Sequence, residues 1–157
     1  MTIKMKNNIE LKQFLFNTCC QFVENRLQTI NNSIHDIKES FDSETKSSAG
    51  DKHETGRAML QIDLEKALNQ LSEIQKIKDV LKKIDFEKAS ETACLGSVVF
   101  TSASNYYIAI SAGELKVNNE TVYAISANTP IGLLLIGKQA GDTIAFRDTK
   151  FTITKVI

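Results

Sequence analysis

Residues 16–41 read FNTCCQFVENRLQTINNSIHDIKESF, and the spacing of their apolar side chains decides the fold. Phe16, Cys20, Val23, Leu27, Ile30, Ile34, Ile37 and Phe41 follow one another in alternating steps of four and three. That step pattern is a heptad seam, which keeps one stripe of a long helix turned toward a partner helix. Leu11 and Leu15 extend it upstream, so a first helix is expected near residues 8–43. A second seam follows in Leu60, Leu64, Ala67, Leu71, Ile74 and Leu81, with Lys78 filling one position and Ile77 and Ile84 flanking it. It predicts a second helix from about Asp51 to about Ile84. The polar stretch Asp42–Gly50 between them is rich in helix-capping residues and short, which favours folding the second helix back antiparallel to the first. At 1.5 Å per residue such a hairpin is on the order of 50 Å long.

Beyond Ile84 the period changes. Leu95–Thr101, Tyr106–Ile110 and Thr121–Ile125 are rich in β-branched and aromatic residues and read as strands. Leu133–Ile136, enclosed by Gly132 and Gly137, reads as a short helix. Thr143–Phe146 and Phe151–Val156 close the chain as a hairpin around Arg147–Lys150. The expected class is therefore α+β. Residues 1–85 form a coiled-coil hairpin with its tip at about 43–54, residues 86–94 a linker, and residues 95–157 a small antiparallel β-domain. A domain of that size is marginal alone and is expected to pack against the base of the helices.

Charge excludes one class of function. Residues 1–85 carry 13 basic and 13 acidic side chains and residues 86–157 carry 6 of each, so neither half offers the basic face of an autonomous sequence-specific DNA binder. No stretch approaches the roughly 18 apolar residues of a membrane span, and the first residues lead into no signal-type apolar run. Cys19, Cys20 and Cys94 have no metal-ligand or redox spacing and read as small core hydrophobes in a reducing compartment. The chain reads as soluble, cytoplasmic and monomeric.

The candidate site is Gly50-Asp51-Lys52-His53-Glu54, at the turn between the two seams. Two readings of Asp51 and Glu54 stand side by side. Asp is a strong N-cap and Glu three residues later resembles a capping box, with both acids at the favourable end of the helix dipole. The same spacing puts two carboxylates on one side of a helical turn, at a tip suited to delivering a functional group at a distance. His53 next to the acids leaves a zinc site incomplete, because no third clustered ligand accompanies it. Lys46, Lys52 and Arg57 add a small basic cluster that offsets the acids or touches RNA phosphates.

From Gly96-Ser97-Val98-Val99 through Tyr107-Ile108-Ala109-Ile110, Ser126-Ala127-Asn128-Thr129-Pro130-Ile131-Gly132 and Leu135-Ile136-Gly137-Lys138 to Gly141-Asp142, the C-terminal half resembles the Gre family (GreA/GreB type) of bacterial transcript-cleavage factors, or a divergent paralogue of them. The N-terminal half is similar in architecture and at the tip. The resemblance implies an FKBP-like β-domain that grips the rim of RNA polymerase through Asn128, Thr129 and Pro130. It also implies a coiled-coil tip inserted into the secondary channel, where Asp51 and Glu54 help the polymerase hold a second Mg²⁺. Backtracked RNA is then cut near its 3′ end, in trans, so the chain is not itself an enzyme and has no cofactor of its own. The tip departs from the family's Gly-Asp-Leu-Ser-Glu-Asn in Lys52, His53 and Thr55, and Thr129 replaces a serine. The alternative within the same docking mode is a channel occupant that regulates polymerase without stimulating cleavage. Further alternatives are a coiled-coil interaction protein with another partner, and an FKBP-like prolyl isomerase.

Overall fold

The computed structural model describes residues 7–46 and 50–157, with side chains described except at 44–46 and 50–53. Two helices come first, α1 (Asn8–Lys46) and α2 (Gly50–Lys82). Six strands and a short helix follow: β1 (Val98–Thr101), β2 (Asn105–Ala109), β3 (Gly113–Val117), β4 (Glu120–Ser126), α3 (Pro130–Leu135), β5 (Thr143–Phe146) and β6 (Thr149–Val156). The α+β class expected from the two periods is therefore present. The chain divides into two compact units, one of Val23–Lys78 and one that gathers the chain up to Phe22 with Asp79–Ile157.

In the Val23–Lys78 unit the seams are covered as their spacing predicts. Val23, Ile30, Ile34, Ala67 and Ile74 are buried, and Leu27, Ile37, Phe41, Leu60, Leu64 and Leu71 are half-buried. Lys78 reaches Glu24 at 3.1 Å, so the last part of α2 lies beside the first half of α1. Both partners are largely exposed, and a pair of that kind contributes well under 1 kcal/mol; the apolar seam holds the helices. His35, outside the seam, is exposed and meets Glu39 one turn on at 3.2 Å.

The larger unit starts with α1, where the Asn7 side chain accepts from the Glu10 amide at 2.8 Å and caps the helix. Here the buried edge is Leu15 and Cys19, both fully covered, while Phe16 and Cys20 are half-buried. The expected seam thus runs one residue off at its start. The cause is a second partner for this end of α1: Cys19 and Cys20 lie near enough to the buried Tyr107 of β2 to act on its ionisation. Helix α2 ends at Lys82 rather than Ile84, because Lys83 and Ile84 bond back to Val80 and Leu81 in the tighter i to i+3 pattern.

The sheet corrects the expectation of an antiparallel domain. Its strand order is β3-β4-β2-β1-β6-β5, and β2 and β4 run parallel, with Ile108 opposite Ile125. Strand β3 was not expected at all. After β2 the chain steps over one strand position to lay down β3, then turns back at Asn118-Asn119 into the gap. Both asparagines have positive φ, 51° and 65°, the backbone of a tight two-residue hairpin turn. Because β4 returns antiparallel to β3, it must run with β2. The remaining neighbours are antiparallel: β1 with β2, β1 with β6, and β5 with β6.

Successive residues alternate between faces. Val99, Ile108, Ile144, Phe151 and Ile153 form one buried cluster with Ile131 and Leu135 of α3 and with Ala93. Ala93 belongs to the 86–94 stretch and is tied in place by backbone bonds with Lys138 and Gly137. Tyr107 and its partner Val98 alternate with Ile108 and Val99 and are also fully buried, so the central strands are covered on both faces.

Candidate functional site

The first candidate group lies at the start of α2. Asp51 and Glu54 both lie inside α2, three residues apart near its start, so Asp51 is itself helical rather than a cap standing in front of the helix. The side chains of Asp51, Lys52 and His53 lie outside the described residues. Glu54 is exposed. Among the described residues no group of three or more His, Cys, Asp or Glu side chains could hold a metal ion. An exposed carboxylate near a helix start can take part in a cation site completed by another molecule's oxygens, as Mg²⁺ sites with phosphate commonly are.

The second group, Asn128-Thr129-Pro130, is a helix start. Thr129 has extended backbone (φ −71°, ψ 157°) and caps α3, and Pro130 takes the first helical turn, where a missing N–H goes unnoticed. The Thr129 hydroxyl donates to the Ser126 carbonyl at 2.7 Å and accepts from the Gly132 amide at 3.1 Å. The Asn128 amide donates to the Ser126 hydroxyl at 3.3 Å. Gly132 is required by close approach: a Cβ there would stand 2.4 Å from the Ser126 carbonyl oxygen and 3.0 Å from that of Ala127. The three residues thus have different roles. Asn128 and Pro130 are exposed and available for contact, whereas Thr129 is half-buried and occupied in holding the loop.

One part of this surface was not singled out from the sequence. Helix α3 buries Ile131 and Leu135 and turns Leu133 and Leu134 outward at 65% and 38% exposure, and Ile136, just after it, is 38% exposed. A six-residue helix can bury one stripe only, so an apolar run of four must leave part of itself in water. With Pro130 these side chains make an exposed apolar patch beside a polar, rigidly capped loop, the usual character of a protein-contact surface.

Buried titratable groups lie on the other face of the sheet. Burial, with a smaller contribution from Cys20, pushes the Cys19 thiol up to about 12. The Tyr107 phenol is raised, first by burial and then by Cys19 and Cys20. Both therefore stay protonated and unreactive near neutrality. The three cysteines are free; Cys19 is buried and Cys20 half-buried, but Cys94 is exposed and so is not the core residue expected from the sequence. Among the described residues no helix is long and apolar enough to cross a membrane.

No protein-family model matches this chain, and no curated protein matches it in sequence.

Proposed function

We propose that this protein is a Gre-like transcription elongation factor. In this reading the helix pair is a coiled-coil hairpin that enters the secondary channel of bacterial RNA polymerase. Asp51 and Glu54 at its tip help the polymerase hold a second Mg²⁺, and backtracked RNA is cleaved by the polymerase itself. The β-unit is an FKBP-like domain that holds the rim of the channel through Asn128, Pro130 and the apolar face of α3. Partners are RNA polymerase and, within that complex only, the 3′ end of the transcript.

The observation that carries this reading is the exposure of Glu54 near the start of α2, off the apolar seam that Leu60, Leu64 and Ala67 continue. An acid at that place contributes nothing to packing and is free to meet a cation. The chemistry suits it, since two-metal hydrolysis needs hard oxygen ligands for the second ion. The docking half is supported by the capped Ser126–Gly132 loop, which fixes Pro130 and the outward leucines without using them internally.

The test is cleavage of RNA in a stalled polymerase complex. Wild-type protein should shorten the transcript, and the double variant Asp51→Ala/Glu54→Ala should bind polymerase and leave the RNA intact. Lys52 between the acids favours a second reading, a channel occupant that regulates polymerase without cleavage. If wild type and the double variant bind equally and neither shortens the RNA, that second reading replaces the first. Failure to bind polymerase at all would exclude both and leave a helix-pair interaction protein with another partner.

A further inference from the structure

Lys12 is only 4% exposed, the one buried lysine among the described residues, and it lines an open cleft of about 540 Å³ within the Phe22/Asp79–Ile157 unit. The cleft is bounded by the start of α1, the 86–91 segment and the end of β6. Its apolar lining includes Ile9, Phe86 and Val156, and a void of this size is in the range that holds small organic molecules.

The ammonium of Lys12 has three donors. Among the described residues its hydrogen-bond acceptor is the Lys88 carbonyl, at 2.8 Å. No carboxylate among them forms an ion pair with it; Asp85 and the Cys94 thiol act on it only at longer range. Burial is the largest influence on its ionisation and lowers its pKa from the ordinary lysine value. A covered ammonium with one neutral partner is electrostatically incomplete, since taking a charge out of water costs several kcal/mol unless it is paired.

The other charges at the cleft do not complete it. Lys88, Glu87 and Glu91 are exposed, and the Lys155 ammonium stands 5.9 Å from the centre of the Phe100 ring. These balance nearly to neutrality, so a multiply charged anion such as a phosphate ester has little to gain here. A single carboxylate can accept the two remaining Lys12 donors while an apolar body covers Ile9, Phe86 and Val156.

We propose that this cleft is a binding site for a small monocarboxylate with an apolar body, with Lys12 as the charged anchor. The site is separate from the tip and from the α3 surface, and it stands whether or not the polymerase reading holds. Lys12 has a second role that needs no ligand, tying the first turns of α1 to the Lys88 carbonyl.

The test uses the full-length protein, ¹⁵N-labelled, titrated at neutral pH with octanoate, 1-octanol and octylamine. The amide signals of Lys12, Lys88 and Val156 report on the site. Octanoate should shift them saturably and bind at least tenfold tighter than octanol, and octylamine should not saturate. Lys12→Met should bring octanoate down to the octanol level, while Lys12→Arg keeps most of the preference. Equal binding of octanoate and octanol to wild type would overturn the proposal and leave an apolar cleft with a structural lysine. So would octanoate shifts confined to other parts of the chain, or no saturation. The comparison of the three probes on wild type decides the matter even if Lys12→Met does not fold.

Discussion

Replacing Tyr107 by phenylalanine should make the sheet unit more stable, although tyrosine and phenylalanine rings pack alike. Tyr107 is fully buried in β2, and among the described residues its hydroxyl has no hydrogen-bond partner. A buried hydroxyl left unpaired costs about 1–3 kcal/mol of lost hydration. Removing one oxygen leaves a small void, which at about 24 cal/mol per Å³ returns a few tenths of a kcal/mol of that gain. The net expectation is about 1 kcal/mol in favour of Tyr107→Phe, or about 2–4 °C in midpoint for a chain of this size. Amide hydrogen exchange at Ile108, whose N–H bonds to the Ser97 carbonyl at 3.0 Å, reads the stability of the central strands directly. Exchange there should slow about fivefold, the factor that corresponds to 1 kcal/mol. Alkaline pH supplies a second reading. The folded protein holds the Tyr107 proton above the phenol's ordinary pKa, so above about pH 10 the unfolded chain releases a proton that the folded one keeps. Wild-type stability then falls with rising pH, by up to about 1.4 kcal/mol per pH unit, and the phenylalanine variant lacks this loss. Its advantage should widen by about 1.4 kcal/mol between pH 7 and pH 11. Cys19 is raised to about 12 and weakens both proteins in the same direction, so it drops out of the difference. Faster exchange in Tyr107→Phe at pH 7, or an advantage that does not grow with pH, would refute the account of an unpaired, buried phenol.

Thr129→Ala should cost about 1 kcal/mol, the usual value of an N-cap, and should weaken partner binding through disorder of α3 rather than through a lost contact; thermal melting with a binding assay tests both parts. Gly132→Ala should be worse, at about 2–4 kcal/mol, because its Cβ would meet the Ser126 and Ala127 carbonyl oxygens, backbone atoms that cannot move aside; a melt no lower than that of Thr129→Ala would contradict it. Arg147 is the first of the two residues linking β5 and β6 and has φ of 56°. Arg147→Gly relieves that left-handed backbone and should gain up to about 1 kcal/mol, less whatever the Arg147 guanidinium contributes by stacking 5.1 Å from the Phe146 ring centre. Denaturant midpoints of the two proteins measure that balance.

The long elements were legible because their signal repeats. The seam positions from Val23 to Phe41 and from Leu60 to Ile74 are the covered ones, and no local feature competes with them. At Leu15 and Cys19 the same reading slipped by one residue, since the period specifies a stripe but not which element covers it, and here Tyr107 lies close by. Strand β3 was missed because Gly113-Glu114-Leu115-Lys116-Val117 offers two apolar side chains among charged ones. The signal that could have found it was Asn118-Asn119, a pair suited to positive φ, between Leu115/Val117 and Val122. The parallel pairing of β2 and β4 followed from that omission: without β3, the next strand is expected to return antiparallel. Of the candidate site, the α3 cap was legible as a turn before an apolar run. The Lys12 cleft was not, because one lysine on an amphipathic helix looks solvated until the 86–91 segment covers it.

The unit that holds the sheet is discontinuous in the chain, interrupted by the whole of Val23–Lys78. Synthesis from the N-terminus therefore delivers its opening piece, with Leu15 and Cys19, long before Tyr107 emerges. Paired backbone bonds between Ile157 and Val98 join the far end of the unit to β1. The Val23–Lys78 helices, local in sequence, can pair while the ribosome is still translating the strands. The apolar edge at Leu15 and Cys19 thus stays uncovered until the strands that meet it have been made, and the growing chain is open to aggregation over that interval.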